Sequence, residues 1–390
     1  MKVSIVVSNT RADSGGGIGV RSMVCMLSSF SELKVIHTEE NHGLGSWCPE
    51  ALLTSPMHAP IPETTRTKMN RLIYHYRNDK SALSKEKAME LRGDSQAIQV
   101  EALDLWFLAE RVSDGKVPLI LHEHDLRWEL NSLTILDSPF YRTRLGRMKV
   151  TQSLMGPWML RRAEAFELRS IRRAARVIVV SERDRDVLIK KVPEAVGKVT
   201  AIPSCIDTRQ YVPHYGLLNG EKKHIAFVGK LDYIPNSEAV KTICDELAPS
   251  FGDDIIFDIV GAPVLKHPSP KNVIFHGYVP DVKPCLSAAD ICIVPLQSGS
   301  GMRMKILEYM ALGRPVVSTA KGCEGLTVTN GKNIIIADRS DEFIKALSML
   351  LKDDSQAKEL GREGRKWVEN EYDWRVYKDT MRGVYESIVR

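Results

Sequence analysis

The chain has 390 residues, 43% hydrophobic and 26% charged, with a formal net charge of +5. This excludes a single small domain, which could not use so much chain, and a disordered polymer, which would hold far less apolar material. The seven cysteines are scattered and never spaced C-x-x-C, which argues against a disulfide framework and a structural zinc and points to a reducing cytosol.

The run Met-Lys-Val-Ser-Ile-Val-Val-Ser at the start is too short for a signal peptide and predicts a first buried strand over 2–7. Strands follow near 33–37, 96–101, 117–122, 176–181 and 198–202, with helices near 18–30, 102–113, 156–175 and 182–191. The second half repeats the plan. Its strands are expected near 223–228, 255–260, 272–276, 290–295, 315–319 and 333–336, and its helices near 236–248, 281–288, 302–312, 341–352 and 355–370. Alternation of this kind is the sequence form of a parallel α/β sheet. Two such units predict two Rossmann-like doubly wound domains facing a central cleft, over 1–205 and 206–373. The seam is the run from Ile202 to Pro213, where Pro203 biases Ile202 away from helix. Residues 40–95, with prolines at 49, 56, 60 and 62, read as an insertion on the first domain, near the acceptor. No run reaches the roughly 18 consecutive apolar residues of a membrane span.

Charge is uneven. Residues 1–206 hold 30 Lys/Arg against 24 Asp/Glu, and the remainder 24 against 25. Residues 140–176 alone hold ten basic residues against two acidic ones, including Arg161, Arg162, Arg169, Arg172 and Arg173 beside Trp158. A solvated helix face, an interfacial patch for anionic lipid and a nucleic-acid surface are the three readings. The last requires a binding fold that the chain does not show, so no nucleic-acid partner is expected.

The most informative stretch runs from Gly299 to Ser318. A Gly/Ser turn containing Ser300, Gly301 and Met302 separates an apolar strand from a helix carrying Arg303, Lys305 and Glu308. Unpaired N–H groups at a helix start favour anions, and two adjacent cations make a diphosphate the natural guest. Glu308, about one turn further on, can accept hydrogen bonds from a sugar or ribose hydroxyl.

The run Lys305-Ile-Leu-Glu-Tyr-Met-Ala-Leu-Gly-Arg-Pro-Val-Val resembles the donor-site helix of retaining glycosyltransferases of family 4, which have the GT-B fold. That family carries two glutamates separated by seven residues, then Ala-x-Gly-x-Pro-Val-Val. Glu308 matches the second glutamate. Ser300 stands at the first, which in the family holds sugar hydroxyls, and a Gly-Ser-Gly-x-Arg-x-Lys-Ile-Leu-Glu variant looks like a subgroup. The resemblance implies transfer of a sugar from a UDP- or GDP-linked donor to an acceptor hydroxyl, with retention, in glycan, glycolipid or cell-surface polysaccharide biosynthesis. It implies no cofactor and no metal. A lipid-linked acceptor and a cytoplasmic enzyme peripheral to the membrane inner face fit the basic run. A non-catalytic nucleotide-sugar-binding partner of a glycan-assembly complex and a nucleotide-sugar epimerase remain as alternatives.

Other segments take their roles partly from the same resemblance. The loop Ser14-Gly-Gly-Gly-Ile-Gly19 is a tight strand-to-helix turn or, as in the family, a phosphate contact through Gly16 and Gly17. Gly229 and Lys230 end a strand at the edge where open α/β sheets bind ligands, although a solvated lysine is the plainer reading of Lys230. Gly261 and Gly277 are expected near the nucleotide base. Leu119-Ile-Leu-His-Glu-His-Asp125 reads as hydrogen-bonded residues at a strand end, as an acceptor-side loop or as a metal pair, because residues i and i+2 share a face; no third ligand is visible at a readable spacing. Glu101 sits where the family often places a polar residue against the sugar. Glu101, His124, Lys230 and Arg303 are thus the expected catalytic set. Asp184-Arg-Asp186 reads as a helix cap rather than a metal motif. The amphipathic segment 374–390 either caps the second domain or, as in GT-B enzymes, crosses back to the first.

Overall fold

Runs rich in valine and isoleucine build two all-parallel sheets in a computed structural model that describes residues 1–7, 15–37, 52–53, 83–128, 148–264, 267–299 and 302–389. The first has the order β3-β2-β1-β4-β5-β6-β7, from β1 (Lys2–Val7), β2 (Glu32–His37), β3 (Leu52–Leu53), β4 (Ala97–Val100), β5 (Leu119–Glu123), β6 (Arg176–Val179) and β7 (Val199–Ala201). The second has the order β10-β9-β8-β11-β12-β13, from β8 (Lys223–Val228), β9 (Ile255–Val260), β10 (Val273–Gly277), β11 (Ile291–Val294), β12 (Val316–Ser318) and β13 (Ile335–Ile336). β1, β4, β5 and β11 are buried almost throughout. A parallel sheet has that burial when helices cover both faces, and it explains the near-continuous apolar runs.

Each sheet is doubly wound. Strand order reverses between β1 and β4 in the first and between β8 and β11 in the second. Such switch points open a crevice beyond the strands' carboxyl ends. Glu101 lies just past β4. Gly229 and Lys230 follow β8, and the Gly299 turn follows β11.

One compact unit includes Val20–Ser204 and Tyr377–Arg390, and the other includes Cys205–Val376. Asp373 Oδ2 accepts hydrogen bonds from Thr208 N at 3.0 Å and Thr208 Oγ1 at 2.6 Å, and Arg375 Nη1 donates to Asp207 Oδ1 at 2.8 Å. These bonds hold 373–375 on the linker of the second unit. The helix Lys378–Glu386 then belongs to the first.

Three local differences have physical causes. The glycines at 15–17 lie inside the helix Gly15–Ser28 rather than in a loop before it. The basic helix spans Lys149–Arg173 and runs through Pro157, which forfeits one backbone hydrogen bond without ending the helix. Within the stretch read as an insertion, β3 and the helix Lys85–Arg92 are described; Ser84 caps that helix by accepting from Lys87 N at 3.1 Å. The remainder of that stretch lies outside the described residues. Among the described residues no helix is long and apolar enough to cross a membrane.

Candidate functional site

At the second switch point the helix Met304–Ala311 follows the turn after β11, with Arg303 immediately before its first residue. Ser300 and Gly301, both expected at the ligand, lie outside the described residues. Gly299 has φ +103°, and a Cβ there would sit 3.0 Å from Pro235 Cγ and 3.1 Å from Arg303 Nη2. Glycine suits this position, which combines a positive φ with close approach to both groups. Arg303 is buried and Met302 is half-buried.

Lys305 binds the two loops together. Its Nζ donates to Asn236 Oδ1 at 2.8 Å and lies 4.3 Å from the centre of the Phe227 ring; Asn236 Nδ2 donates to Lys230 O at 2.8 Å. Burial, helped by the Arg303 charge, lowers the Lys305 ammonium to about 7. The sequence pointed to Arg303 and Lys305 but missed Asn236. Nothing in the local sequence marks its partners. The Lys230 side chain is exposed, with its ammonium 3.4 Å from Asp232.

Glu308 is buried and accepts from Tyr211 Oη at 3.2 Å. Burial raises its carboxyl to about 7, partly opposed by the Tyr211 hydrogen bond and the Lys283 charge. Tyr211 comes from the linker, 97 positions away, and no motif marks it. Gly261 has φ +146°, and a Cβ there would meet Gly229 O at 1.8 Å, so its glycine is required by the approach of the β8 and β9 ends. Gly277 also has positive φ, at +69°. Gly16 and Gly17 lie in the first turn of the first helix.

The first switch point holds a second cluster. β4 and β5 pair in parallel with Val100 opposite Leu121, so the next residues, Glu101 and His122, are neighbours. Glu101 Oε2 lies 3.0 Å from His122 Nδ1 and 3.3 Å from His124 Nε2. Its Oε1 accepts from Gln99 Nε2, and Gln99 Oε1 accepts from Tyr385 Oη at 2.5 Å. Glu101 and His122 are buried, whereas the His124 side chain is 29% exposed. Burial alone would raise the Glu101 carboxyl. The charges and hydrogen bonds of the two histidines outweigh it and hold the carboxyl well below its ordinary range. Burial pushes the His122 imidazole down; at His124 the Glu101 carboxylate overcomes burial and pushes the imidazole up. The sequence saw no third ligand for the His-x-His pair. The parallel register supplies one, since ligand atoms of Glu101, His122 and His124 all lie within 4.8 Å of one another.

Asp184 acts at a helix start. Ser181 Oγ accepts from Asp184 N at 3.0 Å, and the Ser181 hydroxyl lies 2.7 Å from Asp184 Oδ2. On the basic helix, Arg161, Arg162 and Arg169 are exposed, while Arg172 and Arg173 pair with Glu194 and Glu110 at 2.6 and 3.0 Å.

Comparison with known proteins bears on the second unit most directly. Residues 222–353, which include Lys230, Arg303, Lys305 and Glu308, match the family model "Glycosyl transferases group 1". The chain is 24% identical over 233 residues to the 2-deoxystreptamine glucosyltransferase of Streptomyces kanamyceticus, covering 53% of this chain and 59% of that protein. It is 20% identical over 247 residues to spore coat protein SA of Bacillus subtilis, covering 55% and 65%. It is 29% identical over 126 residues to a GDP-mannose-dependent monoacylated phosphatidylinositol monomannoside mannosyltransferase of Corynebacterium glutamicum, covering 30% and 33%. The chain thus spans less than two thirds of the length of these relatives. Among solved structures it resembles sucrose-phosphate synthase from Thermosynechococcus elongatus, with a TM-score of 0.70 at 17% identity over 99% of this chain and 98% of that one. Anabaena HepE in complex with UDP-glucose has a TM-score of 0.66 at 12% identity, covering 99% and 100%. Residues 222–353 therefore match the glycosyl transferases group 1 family, and the chain as a whole has the GT-B fold.

Proposed function

We propose that the protein is a glycosyltransferase of family 4 type that moves a sugar from a nucleotide diphosphate to an acceptor hydroxyl with retained configuration. The observation that carries this reading is the convergence of Arg303, Lys305 and the Lys230 loop at the β8/β11 edge, beside a helix start. The reaction forms a bond from the acceptor oxygen to the anomeric carbon and breaks the bond from that carbon to the diphosphate. The acceptor's proton passes to a phosphate oxygen of the leaving group. Fixed cations and the positive end of the helix dipole stabilise the charge that develops on that diphosphate, so the step requires no divalent ion. Glu308 holds a ribose hydroxyl, and Tyr211 orients its carboxyl. Lys230 extends from the loop toward the phosphates. Glu101 and His124 serve the acceptor side.

A UDP- or GDP-linked donor is in keeping with HepE, solved with UDP-glucose, and with the mannosyltransferase that depends on GDP-mannose. That second relative acts on a phosphatidylinositol mannoside, which supports a lipid-linked acceptor and a peripheral place at the cytoplasmic face of a membrane. Incubation with a panel of UDP-, GDP- and ADP-sugars tests the reading. Nucleotide release with transfer or slow hydrolysis supports it. Sugar isomerisation would make the protein an epimerase, and binding without turnover in the presence of acceptors would make it a binding partner.

A further inference from the structure

We propose that Glu101, His122 and His124 form a binding site for one divalent transition-metal ion of the zinc class. Two imidazoles and one carboxylate are a common donor set for such an ion. All three ligand atoms lie within 4.8 Å of one another. Zinc bonds of about 2.0–2.1 Å in tetrahedral arrangement put ligand atoms roughly 3.3 Å apart. Glu101 Oε2 lies 3.0 Å from His122 Nδ1 and 3.3 Å from His124 Nε2.

The carboxylate is already oriented. Gln99 Nε2 donates to its other oxygen, and Tyr385 Oη fixes the Gln99 amide at 2.5 Å. Ligating carboxylates are held by such outer hydrogen bonds, whose loss typically weakens metal binding by about 10–100-fold. Solvent reaches the cluster on the side of His124, which is 29% exposed, whereas Glu101 and His122 are closed off from it. His122 and His124 reach the ion from β5 and the residue after it, Glu101 from the end of β4, and Tyr385 backs them from the terminal helix. The ion would fasten two strand ends together.

Zn²⁺ titration of the tag-free, metal-stripped full chain by calorimetry tests this, with thermal melting and Co²⁺ substitution in parallel. The expected result is one Zn²⁺ per chain, a raised Tm, and visible Co²⁺ bands of a four-coordinate N/O site without thiolate charge transfer. Glu101→Gln, which keeps the shape, and His124→Ala, at the partly exposed position, should each abolish binding at this site. Tyr385→Phe should weaken it by about 10-fold. If Glu101→Gln fails to fold, His124→Ala decides alone. Absence of stoichiometric Zn²⁺ binding, binding unchanged in both ligand variants, or thiolate bands with Co²⁺ would each overturn the proposal.

Discussion

Lys305 Nζ donates to Asn236 Oδ1 at 2.8 Å, so a cation on the helix after β11 is tied to the first turn of the helix Ile234–Thr242, which follows β8. Asn236 passes the restraint on to the Lys230 carbonyl. One amide thus spans the two loops that flank the switch point of the second sheet. A diphosphate arriving there meets a cation whose position is set before binding, which lowers the ordering cost of recognition.

Removing both fixed cations, with Arg303→Ala and Lys305→Ala together, should weaken nucleotide-diphosphate binding by about 2–4 kcal/mol, from charge-assisted bonds of about 1.5–3 kcal/mol each with partial overlap. Calorimetric titration with UDP and GDP reads this out. Unchanged affinity for the nucleotide that binds would remove the site from this edge.

Proton uptake should accompany binding. Burial holds Lys305 at about 7 in place of 10.5, so much of it is neutral above neutral pH. A bound diphosphate favours the ammonium and raises its pKa again, so the complex takes up a proton and affinity rises as pH falls toward 7. Titrations in two buffers of different ionisation heat measure the uptake, and Lys305→Arg should abolish it. Equal apparent heats in the two buffers with the native chain would show that Lys305 does not meet the phosphates.

Glu308 predicts a pH dependence of stability. Its folded carboxyl titrates near 7 and its ordinary value is 4.5, so the folded chain holds a proton that the unfolded chain releases between them. Its contribution is therefore largest below that window and falls as pH rises through it, by up to about 3 kcal/mol. Urea unfolding of the native chain and Glu308→Gln at both ends of the window isolates the term. The variant should lose less stability than the native chain over the rise, and parallel losses would refute the shift.

Transfer should persist in excess EDTA, because Arg303, Lys305 and a helix start take the place of an ion at the diphosphate. Activity lost in EDTA and restored by magnesium or manganese would contradict this mechanism.

The exposed face of the basic helix should bind anionic vesicles. Arg172 and Arg173 pair with Glu194 and Glu110, while Arg161, Arg162 and Arg169 are exposed, with Arg162 over the Trp158 ring and Arg169 over Phe107 and Phe166. At about 1 kcal/mol per engaged arginine the binding is modest and salt-sensitive. Co-sedimentation that rises with anionic lipid and disappears in Arg161→Ala/Arg162→Ala/Arg169→Ala is expected. Equal recovery in the supernatant with neutral and anionic vesicles at low salt would leave only a solvated face.

The two sheets could be read from the chain because each strand is a continuous apolar run bounded by turn residues, and the strands at 2–7, 223–228 and 255–260 appear at the expected bounds. β3 was missed because two leucines carry no periodicity. Among candidate site residues, Arg303, Lys305 and Glu308 stood out because one helix start concentrates them within six positions of sequence. Asn236 and Tyr211 did not, since a hydrogen-bonding side chain has no local signature that names a distant partner.

By itself, the sequence determined the parallel α/β architecture and the anion-favouring helix start, because strand period, helix period and helix-end charge are set by residues a few positions apart. Only the tertiary structure decided that Glu101 stands between His122 and His124, and that Tyr385, 286 positions from Gln99, steadies it. Those neighbours depend on which strands pair, in which register, and where the terminal helix returns. Burial of apolar faces over the whole chain settles these, and no local pattern encodes them.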